Sequence, residues 1–267
     1  MKFDSVTYSD LNEIRKLQPE GWPDIVSDFK FYLDTDFCLP LKTELGNRIA
    51  GIGAAILLGY SAWIAHIIVD KDFRNKGIGY SIMEALMNML KGFSLRSYML
   101  IATEIGKSLY EKAGFKVVSD YVYFRREVSW NDPIISEQVR PYDSAFSADI
   151  LELDRNISGE DRCVFLRDQL MGSKIYIQNN SLAGVYVPDL GEGLIIADTK
   201  DAGLELMKIK YAMSDKAVLP EENKAGISFL EQNGFIRTQV KGTRMVYGED
   251  VRWKPDRVFS RIGGNVG

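Results

Sequence analysis

Six residues concentrate the chemistry of this chain: Arg74-Asn75-Lys76-Gly77-Ile78-Gly79. The apolar run 64–69 before them reads as a strand. Residues 80–91 after them read as a helix, with Ile82, Leu86, Met89 and Leu90 on one stripe. A strand, a tight glycine turn and a fresh helix N-terminus together make an anion site. The first N–H groups of a helix have no partner within it, and the aligned peptide dipoles add partial positive charge there. Glycines at 77 and 79 let the main chain come close to an anion, and Arg74 and Lys76 add charge. A phosphorylated ligand is expected, gripped by the main-chain amides from Asn75 through Lys76, Gly77, Ile78 and Gly79 to Tyr80.

Other chemistries find little support. The chain has one histidine and two cysteines, namely His66, Cys38 and Cys163. That inventory argues against histidine-based metal sites, a Ser-His-Asp triad, a disulfide framework and a thiolate zinc site. No metal is expected, and the cysteine usage fits a reducing compartment. The net charge of −4 argues against a nucleic-acid partner, because nucleic-acid binders are usually basic. Met1-Lys2-Phe3-Asp4 does not read as a signal peptide, and no apolar run approaches the roughly 20 residues of a membrane helix. A cytoplasmic protein with no membrane partner is expected. Gly106-Lys107-Ser108 is like the end of a nucleotide hydrolase phosphate loop, but Ile101 stands where that loop needs a glycine. Gly51-x-Gly53 and Gly77-x-Gly79 each lack the third glycine of a dinucleotide fingerprint.

The elements around the loop read as an α/β (α+β) chain. Strands are expected at 3–7, 38–44, 49–58, 60–69, 98–103 and 115–128, and helices at 10–17, 23–33 and 106–113 besides 80–91. Trp130-Asn131-Asp132-Pro133 reads as a linker. The second half restarts on a similar plan. It has strands at 139–143, 174–178, 182–187, 194–197 and 235–247, and helices at 144–154, 161–171, 202–213 and 223–233. Ser108-Leu109-Tyr110-Glu111-Lys112-Ala113-Gly114-Phe115 matches Ser228-Phe229-Leu230-Glu231-Gln232-Asn233-Gly234-Phe235 in its serine, its glutamate and its Gly-Phe pair. In both copies a helix ends on a left-handed glycine and a phenylalanine opens the next strand. Two related domains follow, at 1–130 and 135–267.

Ile67-Ile68-Val69 followed by Arg74-x-x-Gly77-x-Gly79 resembles the acetyl-CoA signature of the GNAT superfamily of N-acetyltransferases, and 109–115 resembles that superfamily's second signature at the expected distance. The likeness covers residues 1–128. Residues 135–267 resemble the C-terminal domain of tandem bacterial members. The resemblance implies two tandem GNAT-like domains, each a mixed, mostly antiparallel sheet flanked by helices. It implies acetyl-CoA as cosubstrate, its diphosphate on the 74–80 loop and its pantetheine paired like an added strand to the backbone of Ile67, Ile68 and Val69. Tyr110 stands where the superfamily places an acid for the departing thiolate. Trp63 and Ala65 stand on the acceptor face. Glu104 is a carboxylate placed to hold an acceptor ammonium or relay a proton. Strict alternation puts His66 on the face opposite Trp63 and Ala65, unless a bulge alters the parity.

Two departures carry consequences. Ile105-Gly106-Lys107 replaces an asparagine that many relatives use on the cofactor arm. The second half reads Asp198-Thr199-Lys200-Asp201-Ala202-Gly203 where a glycine signature would stand, with Leu230 in the place of Tyr110. That half is expected neither to bind acetyl-CoA nor to catalyse, and instead to wall the acceptor pocket or form a homodimer face. The expected function is acetyl transfer to a primary amine of a small molecule or peptide by direct attack, since neither cysteine falls near a signature. The alternative is a module that binds acetyl-CoA or a small amine without turnover.

Overall fold

A computed structural model describes residues 1–127 and 133–267. Most of the expected linker, Trp130-Asn131-Asp132, lies outside the described residues. The first half runs β1 (Phe3–Ser5), α1 (Leu11–Ile14), α2 (Ile25–Leu33), β2 (Cys38–Leu45), β3 (Arg48–Leu58), β4 (Ser61–Val69), α3 (Ile78–Leu90), β5 (Ser97–Thr103), α4 (Glu104–Lys112) and β6 (Lys116–Arg125). The second runs β7 (Val139–Pro141), α5 (Ser147–Ser158), α6 (Cys163–Leu166), β8 (Lys174–Gln178), β9 (Ser181–Val187), β10 (Leu194–Ala197), α7 (Lys200–Met213), β11 (Lys216–Pro220), α8 (Lys224–Gln232), β12 (Ile236–Gly248) and β13 (Val258–Ser260).

Helices flank both sheets; the larger is mixed and mostly antiparallel, as the resemblance implies, whereas the smaller is wholly antiparallel. β1 to β4 form an antiparallel meander, and β4 and β5 run parallel. β3 is buried along nearly its whole length because helices cover both faces of the sheet. On one face α1 and α2 bring Ile14, Ile25, Phe29 and Tyr32 against Ile52, Ala54, Trp63 and Ala65. On the other, α3 brings Ile78, Ile82 and Leu86 against Ala55, Ala62, Ile64 and Leu100. No helix among the described residues is long and apolar enough to cross a membrane.

The hydrogen-bonded sheets do not follow the expected boundary between the halves. The larger sheet has the order β1-β2-β3-β4-β5-β12-β6-β11. β12, from the second half, lies between β5 and β6, pairing Thr103 with Gly242 on one side and Tyr121 with Gly242 on the other. β6, from the first half, also pairs with β11. The smaller sheet has the order β13-β10-β9-β8-β7. β11 and β13 are strands not expected from the sequence pattern.

The internal repeat is structural. In α4 the N–H of Phe115 donates to Tyr110 O at 3.0 Å, and in α8 the N–H of Phe235 donates to Leu230 O at 3.0 Å. Both are the long hydrogen bond of a helix closing on a left-handed residue, here Gly114 and Gly234.

Candidate functional site

β4 and β5 pair only at Ser61–Ser97, Ala62–Tyr98 and Trp63–Met99. Past Trp63 the strands splay, while β5 stays paired to β12 as far as Thr103. The cause is a bulge. Ile52 pairs Ile68 and Ala54 pairs Ala65, so β4 spends one residue more than β3 over this interval, and His66 takes φ +51°. The N–H of Asp70 donates to Ala50 O on β3 at 3.0 Å. By strand alternation, the main-chain groups of Ile67 and Val69 then face the splay and those of Ile68 face β3.

The turn from β4 into α3 ends at the same place. Asn75 and Gly77 both have positive φ, +62° and +78°. A β-carbon at 77 would enter open space, so the conformation and not crowding calls for glycine. Gly77 caps α3 without a side-chain hydrogen bond. The first amides of the helix, at Ile78, Gly79 and Tyr80, are therefore left for another acceptor. Arg74 turns its Nε back to Val69 O at 3.2 Å, and Lys76 turns its Nζ to Asp72 O at 3.2 Å. Both cations lie on the loop, and no carboxylate neutralises either among the described residues.

Tyr110, on α4, packs edge-on to Phe115 at 6.1 Å in the cluster that also holds Ile67 and Val69. Burial pushes its phenol up to about 12, so it remains a proton donor at neutral pH. Glu104 is the first residue of α4 and is exposed. α4 packs on the α3 face, so the structure does not bring Glu104 together with Trp63 and Ala65. Those two do share the α2 face, but they do not line open space. Trp63 is fully buried, and its indole N–H donates to Glu160 at 3.0 Å. The Arg244 guanidinium stacks between Trp63 and Trp253, at 4.7 and 4.1 Å from the ring centroids. A β-carbon at 267 would strike Trp63 and Arg244, so Gly267 sits directly on them, and Arg162 donates to its carbonyl at 2.5 Å. The cover over Trp63 comes from residues far away in sequence, which is why alternation alone placed it beside an acceptor.

His66 needs a correction. The bulge reverses the strict alternation and turns the ring towards α2, on the face of Trp63 and Ala65. There it meets Tyr32, Phe29 and Trp22 edge-on at 5.7, 5.9 and 6.1 Å. Its Nδ1 is 2.8 Å from the Tyr32 hydroxyl, and its Nε2 is 3.2 Å from Asp28. Asp28, Tyr32 and Trp22 were not singled out in the sequence; the signal that would have found them was the bulge.

The corresponding junction of the second half is closed. Thr199 caps α7, accepting from the N–H of Ala202 at 3.2 Å. β10 does not pair with β11; β13 pairs with β10 instead, Ile195 opposite Ser260 and Ile196 opposite Val258. Asn223 at the start of α8 donates to Val258 O at 2.9 Å. Phe259 lies so close to α7 that any β-carbon at Gly203 would overlap its ring. Leu230, in the place of Tyr110, is fully buried.

The residues of the first half suit a coenzyme A thioester. The free edge at Ile67 and Val69 can pair with an extended amide-bearing arm, and the uncapped amides of α3 can take a diphosphate. Nothing equivalent is open in the second half.

Residues 37–117 match the family described as "Acetyltransferase (GNAT) domain". A Bacillus subtilis protein called "Uncharacterized protein YyaT" is 28% identical over 93 residues, 32% of this chain, and the chain spans 63% of that relative's length. The fold is similar along the whole chain to that of a candidate acetyltransferase from Pyrococcus horikoshii, with a TM-score of 0.82, 19% identity and coverage of 100% of this chain and 95% of that one. It is also similar to a GCN5-related N-acetyltransferase from Sphaerobacter thermophilus, with a TM-score of 0.67, 11% identity and coverage of 95% and 98%. A tandem GNAT protein from the clavulanic acid biosynthesis pathway aligns with a TM-score of 0.62, 10% identity and coverage of 92% and 98%. Residues 37–117 thus match a GNAT acetyltransferase domain, and the fold of the chain as a whole is similar to that of solved acetyltransferases that include a tandem GNAT protein.

Proposed function

We propose that the first half, residues 1–130 completed by β12, transfers the acetyl group of acetyl-CoA to a primary amine of a small molecule or peptide by direct attack. One observation carries this reading: the splay past Trp63–Met99 and the uncapped N-terminus of α3 open at the same end of β4. The amides from Asn75 to Tyr80 hold the diphosphate, with Arg74 and Lys76 free to swing from their carbonyl contacts towards it. The backbone of Ile67 and Val69 pairs with the pantetheine arm. A main-chain N–H at the bulge polarises the thioester carbonyl.

The acceptor ammonium loses a proton to solvent before it attacks; Tyr110 donates its proton to the leaving sulfur and regains one through solvent from the nitrogen as the amide forms, and its raised pKa keeps it protonated between turnovers. A thiol nucleophile is disfavoured, because burial raises the Cys38 thiol to about 11 and the neighbouring Asp161 raises that of Cys163. Titration calorimetry of the full chain with acetyl-CoA tests the reading, followed by thiol release in the presence of a panel of primary amines. Binding with turnover is expected. A calorimetric blank for acetyl-CoA overturns it.

A second reading, coenzyme binding without turnover, draws on the cover over Trp63 and Ala65. It predicts the same binding and no thiol release with any amine.

A further inference from the structure

Buried or half-buried carboxylates on the α2 face and its border with the second half mostly have a fixed cationic partner. Asp154 is held by Arg162 at 2.5 Å, and Glu160 by Arg244 at 3.6 Å with Trp63 beside it. Asp28 differs. Its side chain is 32% exposed, and among the described residues its only ion-pair partner is His66. A histidine whose Nε2–H donates to a carboxylate fixes the direction in which that carboxylate points.

The hydrogen bonds behind Asp28 form a directed chain across both halves. The Asn265 side-chain amide donates to the Tyr32 hydroxyl at 2.9 Å. That hydroxyl is 2.8 Å from His66 Nδ1, and His66 Nε2 is 3.2 Å from Asp28 Oδ2. Burial holds the Tyr32 phenol well above the usual tyrosine range, so it keeps its proton and serves as a donor. With Asn265 donating to the tyrosine oxygen, the tyrosine O–H points to Nδ1, and the proton of the ring sits on Nε2 and points to Asp28. Every group in the chain is satisfied, and the charge stands at its exposed end. Trp22, 40% exposed and edge-on to the His66 ring, adds an aromatic surface beside that charge. The bulge residue that carries this imidazole lies within the stretch of β4 that is unpaired to β5 past Trp63.

Resting on the acetyl-transfer reading above, we propose that Asp28 and Trp22 form the recognition site for the acceptor's ammonium group, and that His66, Tyr32 and Asn265 position the carboxylate. Asp28 meets the cation, and Trp22 offers its ring to the cation and to the carbon next to it. The second half then takes part in acceptor selection through Asn265 without holding coenzyme itself. Amines with an apolar group near the nitrogen are favoured over neutral molecules of the same shape.

The probes are phenethylamine, charged at pH 7.5, and 2-phenylethanol, which is neutral. Each is titrated calorimetrically into the full chain saturated with coenzyme A. Phenethylamine is expected to bind and the alcohol to give no heat. Asp28→Asn is expected to weaken amine binding at least tenfold with acetyl-CoA affinity within twofold of the parent. Asn265→Ala and Tyr32→Phe are expected to weaken it severalfold, and His66→Gln, which keeps an N–H donor, less than His66→Ala. A parent that binds no amine, equal heats from amine and alcohol, or parent-like amine binding by Asp28→Asn overturns the assignment. Acetyl-CoA binding is read separately, so a failure of the coenzyme site is distinguishable from a failure of this one.

Discussion

Past Trp63–Met99 the strands β4 and β5 part and the edge of β4 stays free, whereas β10, its counterpart in the second half, never pairs with β11 and has its edge taken by the chain's own β13. A parted sheet leaves a row of backbone donors and acceptors that must find partners. In the first half, main-chain groups and an uncapped helix face the opening, ready for a ligand. In the second, β13 supplies the missing strand and Thr199 supplies the missing cap. The two halves therefore show one fold with its opening vacant to a ligand and the same fold with its opening filled by protein.

The comparison breaks most easily at Tyr110. Tyr110→Phe is expected to lower turnover by roughly 10²-fold, with the thermal midpoint nearly unchanged. Leu230→Tyr in the second half is expected to leave turnover as it was. Phe259→Ala should cost about 3–5 kcal/mol in denaturant unfolding, because a fully packed ring leaves a cavity between β10 and α7. Coenzyme stoichiometry in that variant is expected to remain one per chain. A second equivalent bound would show that β13 merely competes for a working site.

Lys210 sharpens the comparison by pH. Its ammonium is clamped to the Glu192 and Gly193 carbonyls and to Ser260 at the end of β13, and burial lowers its pKa to about 8 from 10.5. A folded pKa below the unfolded one means that the unfolded chain binds more protons between the two values. Stability therefore rises with pH across the window from about 8 to 10.5. Relative to Lys210→Met, the parent is expected to gain roughly 1–3 kcal/mol over that window, measured by unfolding at each pH. The smallest expected effect is Thr199→Ala, about 1 kcal/mol of stability with acetyl-CoA affinity untouched.

What the sequence made legible was local. The turn at 74–79 and the two Gly-Phe helix ends carry their signals within a few residues, and the structure repeats even their hydrogen bonds. His66 was misplaced because one inserted residue flips every later side chain, and a period of two cannot register an insertion. Trp63 and Ala65 do share one face, but the cover over Trp63 comes from Glu160, Arg244 and Gly267. β13 has three residues, and β11 ends in a proline. Neither offers enough periodicity to be read, and the interposed β12 is a matter of pairing between distant residues.

That interposition has a consequence for biosynthesis. Thr103 pairs with Gly242, roughly 140 residues further along the chain. At about 5–20 residues per second of translation, the edge of β5 waits on the order of 10 s for its neighbour. During that interval the nascent first half carries an unpaired strand beside the future coenzyme crevice. The crevice acquires its final wall only when β12 has left the ribosome, so activity is expected to emerge with that strand and not with the first half.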